Sequence, residues 1–171
     1  MTAPYNHKQC QSLFGYSFDT HVRSAGTCQL CGCGGAELNF DLWRQMTVEH
    51  IIGRSQGGYL REIRVSVEQR FPDLSIPARE ALSKAIDAAN TVTACSFCNS
   101  TTSRDSSHTS MAELISASSG QPQDVVAQIT AFLQPILERK RAEVSWKLES
   151  VRKAYESLFL VALKDGAQAA S

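Results

Sequence analysis

The chain has 171 residues, with 17 lysines and arginines balancing 17 aspartates and glutamates, so its formal net charge is zero. That balance excludes a polybasic protein that holds nucleic acid or membrane by bulk charge. A composition of 43% hydrophobic and 20% charged residues excludes wholesale disorder and fits one domain, or a small core with appended helices. The longest clean apolar run, Leu158 to Leu163, falls far short of the roughly 20 residues a bilayer span needs. The opening Met-Thr-Ala-Pro-Tyr-Asn-His-Lys lacks the basic and apolar blocks of a signal peptide. A cytoplasmic protein with no membrane partner is expected. In that compartment the six cysteines read as metal or redox ligands before disulfides.

Cys10 has no neighbour at ligand spacing and is expected to be buried. Cys28-Gln-Leu-Cys31 is a C-x2-C step, a tight turn that points two sulfurs at one place; Cys33, two residues on, could substitute for Cys31. Leu42 to His50 is rich in β-branched and aromatic residues and reads as a strand ending in Glu49-His50. Gly53, Gly57 and Gly58 then break regular structure. Residues 59–89 form a generous connection that includes a helix from Pro77 to Ala89, apolar along Ala81, Leu82, Ala85 and Ile86. Asn90 to Ala94 is a short strand running into a second C-x2-C step, Cys95-Ser-Phe-Cys98.

Two such steps without a surrounding βαβ pattern predict a structural Zn2+ held by Cys28, Cys31, Cys95 and Cys98. The steps lie 64 positions apart, counted from Cys31 to Cys95, so the ion would staple the start of a small core to its end.

Ser103 to Ser119 is a Ser/Thr-rich linker with one short helix around Met111 to Ala117. Gln123 to Gln134 is amphipathic, and Pro135 is expected to kink or restart the helix that follows. From Leu137 the apolar positions Val144, Leu148, Val151, Tyr155, Leu158 and Ala162 form a single helical seam, with Arg141 interrupting it. The seam either packs on the core or pairs two copies of the chain.

Read in order, Cys-x2-Cys, then Val48-Glu-His-Ile-Ile-Gly-Arg-Ser-Gln-Gly-Gly58, then Asn90-Thr-Val-Thr-Ala-Cys-x2-Cys-Asn99 closely resembles the HNH endonucleases of the ββα-metal (His-Me finger) group. The resemblance covers Cys28 to about Asp105, under half the chain. It implies an α+β fold, with a zinc-stapled ββα-metal core and a helical C-terminal extension. The corresponding division is an N-terminal extension (1–27), a nuclease core (28–105) with an insertion (59–89), a linker (106–121), a helical region (122–165) and a tail (166–171).

By the same resemblance the protein hydrolyses DNA phosphodiester bonds. His50 is the general base, Glu49 and Asn99 hold a catalytic Mg2+ or Mn2+, and Asn90 ties down the loop between the strands. These residue types suit the task. An imidazole with a pKa near 6.5 can take a proton from water at neutral pH, and hard oxygen ligands suit a divalent cation that neutralises phosphate.

The sequence departs from the family pattern at three places: Glu49 where Asp is commonest, Gly53 where Pro is frequent, and no early Lys after Asn99. Arg54 and Arg104 are then the nearest candidates for phosphate contacts. Residues 51–104 and 134–171 each carry a local excess of two positive charges. Arg54, Arg61, Arg64, Arg70 and Arg79, or Arg139 to Arg141, could therefore track a DNA backbone. His7, His21 and His108 match no motif. Restriction, phage defence or a mobile element are the expected settings, with DNA as partner and a homodimer or protein partner at the C-terminal helix. The competing expectation is a zinc-knuckle binding module without cleavage.

Overall fold

A computed structural model describes residues 16–102 and 109–169; Cys10, His7, His108 and the candidate Arg104 lie outside them. The fold is α+β, with one two-stranded sheet and a helical remainder. Its elements run α1 (Tyr16–Arg23), α2 (Phe40–Trp43), β1 (Met46–His50), α3 (Leu60–Arg70), α4 (Ile76–Asn90), β2 (Thr91–Cys95), α5 (Ser96–Thr101), α6 (Met111–Ala117) and α7 (Pro122–Ala154). A π-helical turn, Tyr155–Phe159, then leads into α8 (Leu160–Ala169).

β1 and β2 are antiparallel, with Met46 opposite Cys95 and His50 opposite Thr91. A hairpin of this size is marginal alone, and here each side has a cover. α1 lies against β2, where Thr93 Oγ1 donates to the Thr20 carbonyl and meets the His21 ring at 3.0 Å. The first cysteine turn lies alongside, its Gln29 amide donating to the Thr93 carbonyl at 2.8 Å. Every residue of β2 is buried, whereas β1 is half-buried beyond Met46. The extended segment starts at Met46 rather than Leu42. Asn39 caps a helical turn by accepting from the Leu42 amide, which places Phe40 to Trp43 in α2.

The 59–89 connection is a helical hairpin. Leu60, Ile63 and Val67 recur at three and four residues, and Ile63 and Val67 are fully buried. α4 begins at Ser75, whose hydroxyl accepts from the Ala78 amide, and its Leu82 and Ile86 pack into the same core. The insertion's arginines are largely spent here. Arg64 makes a bidentate pair with Glu80 at 2.7 and 2.8 Å, Arg79 pairs with Glu68, and Arg70 reaches the Ser118 carbonyl. The Ser-rich stretch is likewise more than a linker. Ser110 and Glu113 form a reciprocal cap on α6, which buries Met111 and Ile115 completely.

Pro135 does not restart the helix: α7 is continuous through it. The proline is exposed, as is Ala131, whose carbonyl loses its amide partner, so water can take that bond. Burial of Leu133, Ile136 and Leu137 on the opposite face, at about 1.5 to 3 kcal/mol each, outweighs the roughly 3 kcal/mol cost of the proline. The predicted seam divides in two. Val144 is buried and Leu148 partly so, but Val151, Tyr155 and Leu158 are at least half exposed. The exposed apolar positions of this seam therefore lie in its outer half.

Asn90, at the α4–β2 junction, is fully buried and its side chain holds the loop after β1. Its Oδ1 accepts from the Ile52 amide at 2.8 Å, and its Nδ2 donates to the carbonyls of Ile52 and Gly58 at 3.0 and 2.8 Å. Gly58 is required there, because a Cβ would sit 1.8 Å from the Ile52 carbonyl oxygen. Asn90→Ala strands three buried backbone groups, and chemical denaturation should show a loss of about 2 to 4 kcal/mol. An unchanged midpoint would contradict this clamp.

Candidate active site and metal centre

Two sites sit at the ends of the β1–β2 hairpin. At one end, sulfurs gather. The Cys28 amide donates to the Cys33 carbonyl and the Gly32 amide to the Cys28 carbonyl, both at 2.8 Å, closing a tight turn; Gly32 has φ +82°. The second turn is the β2–α5 junction. The Cys95 amide donates to Cys28 Sγ at 3.3 Å, and Cys31 and Cys95 sulfurs lie 4.0 Å apart.

Cys28, Cys31, Cys33 and Cys95 all place their sulfurs within 4.8 Å of one another. Cys98, fully buried on α5, adjoins them. The four sulfurs within mutual ligand reach are therefore those of Cys28, Cys31, Cys33 and Cys95: Cys33 stands in the set where Cys98 was expected, and Cys98 is buried beside it.

Their acidities differ sharply. The Cys28 thiol is pulled down to about 4, first by its hydrogen bond with Cys95 and then by backbone amides, against the effect of burial. Cys33 is pushed up to about 12 by burial and by the neighbouring Cys31. Cys95 is pushed up chiefly by its bond with Cys28, and Cys98 chiefly by burial. Crowded sulfurs resist ionising together unless a cation neutralises them. A tetrahedral Zn2+ with bonds of about 2.3 Å places its sulfurs about 3.8 Å apart, a spacing this cluster meets with small adjustment.

At the other end of the hairpin lies a cleft of about 660 Å³, lined by Glu49, His50, Arg54, Gln56, Tyr59, Asn99 and Lys140 among others. Three elements bring the predicted residues here: β1 ends in Glu49 and His50, the Asn90-held loop carries Arg54, and α5 presents Asn99. The Asn99 Nδ2 donates to Thr47 Oγ1 at 2.9 Å and to the Val48 carbonyl at 3.5 Å. With its nitrogen committed to β1, its oxygen is the group available as a ligand. Asn90 stays behind the loop, in the core.

The His50 ring stacks on Tyr59, with centroids 4.1 Å apart and planes 27° from parallel. Burial pushes its pKa down to about 4, so the ring is neutral at pH 7. Glu49 is the second surprise. Its Oε1 accepts from Lys140 Nζ at 2.7 Å, and the lysine is only 3% exposed.

Tyr59 and Lys140 were not assigned to these sites by sequence reasoning, and Cys33 was expected there only as a substitute for Cys31. A signal for Lys140 existed. It occupies the core-facing position between Leu137 and Val144, at the interruption of the seam attributed to Arg141, and a lysine there needs a buried anion. Arg141 instead turns outward enough for its Nε to donate to the Gln29 carbonyl at 2.8 Å. Tyr59 and Cys33 carried no periodic signal.

Two outcomes follow. Purified protein should carry about one Zn2+ per chain by elemental analysis, and Cys28→Ser should lose it. Cys33→Ser and Cys98→Ser should each retain it, since each leaves Cys28, whose sulfur ties the two turns together by accepting the Cys95 amide, with three further thiols. For His50, a folded pKa below the unfolded value near 6.5 means that the unfolded chain takes up the proton first. Stability is therefore lost as pH falls from 6.5 towards 4, and an NMR titration should find this ring unprotonated at pH 5. A midpoint at 6 or above would contradict the desolvated site. Comparison of the chain with protein-family models, curated proteins and solved structures returns no match.

Proposed function

We propose that the protein is a metal-dependent endonuclease of the HNH type, hydrolysing DNA phosphodiester bonds on a ββα-metal core formed by β1, β2 and α5. The reading is carried by one observation: His50, Glu49 and Asn99 come from a strand end and a following helix to line a single cleft, with Arg54 at its edge.

The chemistry divides among these residues. His50 is neutral, so one ring nitrogen can accept the proton of a water attacking phosphorus. Tyr59 holds the plane of that ring by stacking on it, and the Asn90 clamp fixes the loop on which Arg54 and Tyr59 stand. Arg54 is exposed and can pair with a non-bridging phosphate oxygen. The carboxylate of Glu49 and the amide oxygen of Asn99 are hard donors on one cleft, the donor set that fits Mg2+ or Mn2+. Bound there, the ion would supply positive charge to the phosphate and the departing 3′ oxygen.

Zero net charge is compatible with this scheme, because the substrate would be held by local positive groups at the cleft rather than by a charged face. Arg64 and Arg79 of the insertion are committed to Glu80 and Glu68, which leaves Arg54 at the cleft as the phosphate-facing cation of this scheme.

Supercoiled plasmid incubated with the protein and Mg2+ or Mn2+ tests the proposal. Nicking or linearisation is expected from the wild type, with a fall of about a hundredfold or more in His50→Ala. Failure of the wild type to cut DNA or RNA while still binding them would favour a zinc-knuckle binding module instead.

A further inference from the structure

Burying an ammonium ion is costly, and α7 nevertheless places Lys140 at a core-facing position where only 3% of its side chain meets solvent. The cost is met by a charge-assisted hydrogen bond of 2.7 Å to Glu49 Oε1. The anion it has found is the carboxylate that the nuclease reading assigns to the catalytic cation, and both residues line the same cleft.

This pairing is not a loose surface contact. The neighbouring turns of α7 are anchored beside it: Arg141 donates to the Gln29 carbonyl in the first cysteine turn, and Lys147 donates to the Thr101 carbonyl at the end of α5. Val144, between them, is fully buried. The helix therefore delivers the Lys140 charge to Glu49 as a fixed part of the site.

We propose that Lys140 is an internal counter-cation that competes with the divalent metal for the Glu49 carboxylate, and so sets the metal concentration at which the site fills. The proposal rests on the nuclease reading for the identity of the ion.

Its sign follows from two effects that act together. A single positive charge a few ångströms from a divalent cation weakens binding by about tenfold even in water-like surroundings. Removing that charge also leaves Glu49 as an uncompensated, partly buried anion, which an incoming cation neutralises. Loss of the charge should therefore tighten metal binding, whereas a structural role alone would loosen it or leave it unchanged.

Mn2+ alone is the probe, with free ion counted by electron paramagnetic resonance on the intact, zinc-loaded chain. Lys140→Met should bind Mn2+ about tenfold more tightly than the wild type and gain more thermal stability from it. Lys140→Gln, which keeps a polar donor without the charge, should shift the same way and guards against a folding defect peculiar to methionine. Lys140→Arg should stay within about threefold of the wild type, and Glu49→Gln should lose most binding. Unchanged or weaker Mn2+ binding in both neutral variants overturns the proposal even if the wild type cuts DNA. Tightened binding in a protein that cuts no DNA supports the competition and overturns the nuclease reading alone.

Discussion

A two-stranded sheet has too few backbone bonds and too little apolar area to persist in water, so the site at its His50–Thr91 end depends on what is done at the Met46–Cys95 end. That work falls to five sulfurs. The turn at Cys28 to Cys33 and the β2–α5 junction at Cys95 to Cys98 meet there, and the Cys95 amide is spent on the Cys28 sulfur. The same junction that carries Cys95 and Cys98 carries Asn99 one residue later. Any movement of the sulfur cluster is therefore transmitted to the cleft through less than one turn of helix. The connection between the turns is long, and closing it costs only slowly more with length, which leaves room for the α3–α4 hairpin.

Electrostatics governs the other end. The cleft combines a neutral, desolvated imidazole with a carboxylate whose negative charge is already answered by Lys140. These two features have opposite origins. His50 is kept uncharged because burial penalises the imidazolium and Tyr59 covers its face. Glu49, in a partly buried place, is met by a cation that a helix 91 residues away in sequence delivers. The cationic groups of the α3–α4 hairpin follow a third logic, pairing with carboxylates across the two helices.

What could be read in the residues was what repeats or what is spaced by chemistry. The two C-x2-C steps, the helix over Pro77 to Ala89, the short helix at Met111 to Ala117 and the strand before Cys95 all announced themselves by spacing, periodicity or β-branched content, and the described elements differ from them by a residue or so. The failures have physical causes. α2 replaced the start of the first strand because Asn39 supplies a cap that outweighs local β propensity. α7 ran through Pro135 because the lost hydrogen bond faces water while the packed face does not. Lys140 was missed because a helical seam was scored for apolar residues, and a charge buried against a distant carboxylate reads there only as a gap.

The anchorage of α7 also changes what counts as the smallest working unit. A fragment ending at Thr101 would contain both cysteine turns, Glu49, His50, Asn90 and Asn99, every residue of the motif. It would lack the cation that answers Glu49, the guanidinium on the Gln29 carbonyl and the ammonium that caps α5, all of which lie between residues 140 and 147. The motif is contiguous on paper, but its electrostatic balance is completed from the far side of the chain. Selection acting on the helix can retune the cleft without altering a single residue of the motif itself.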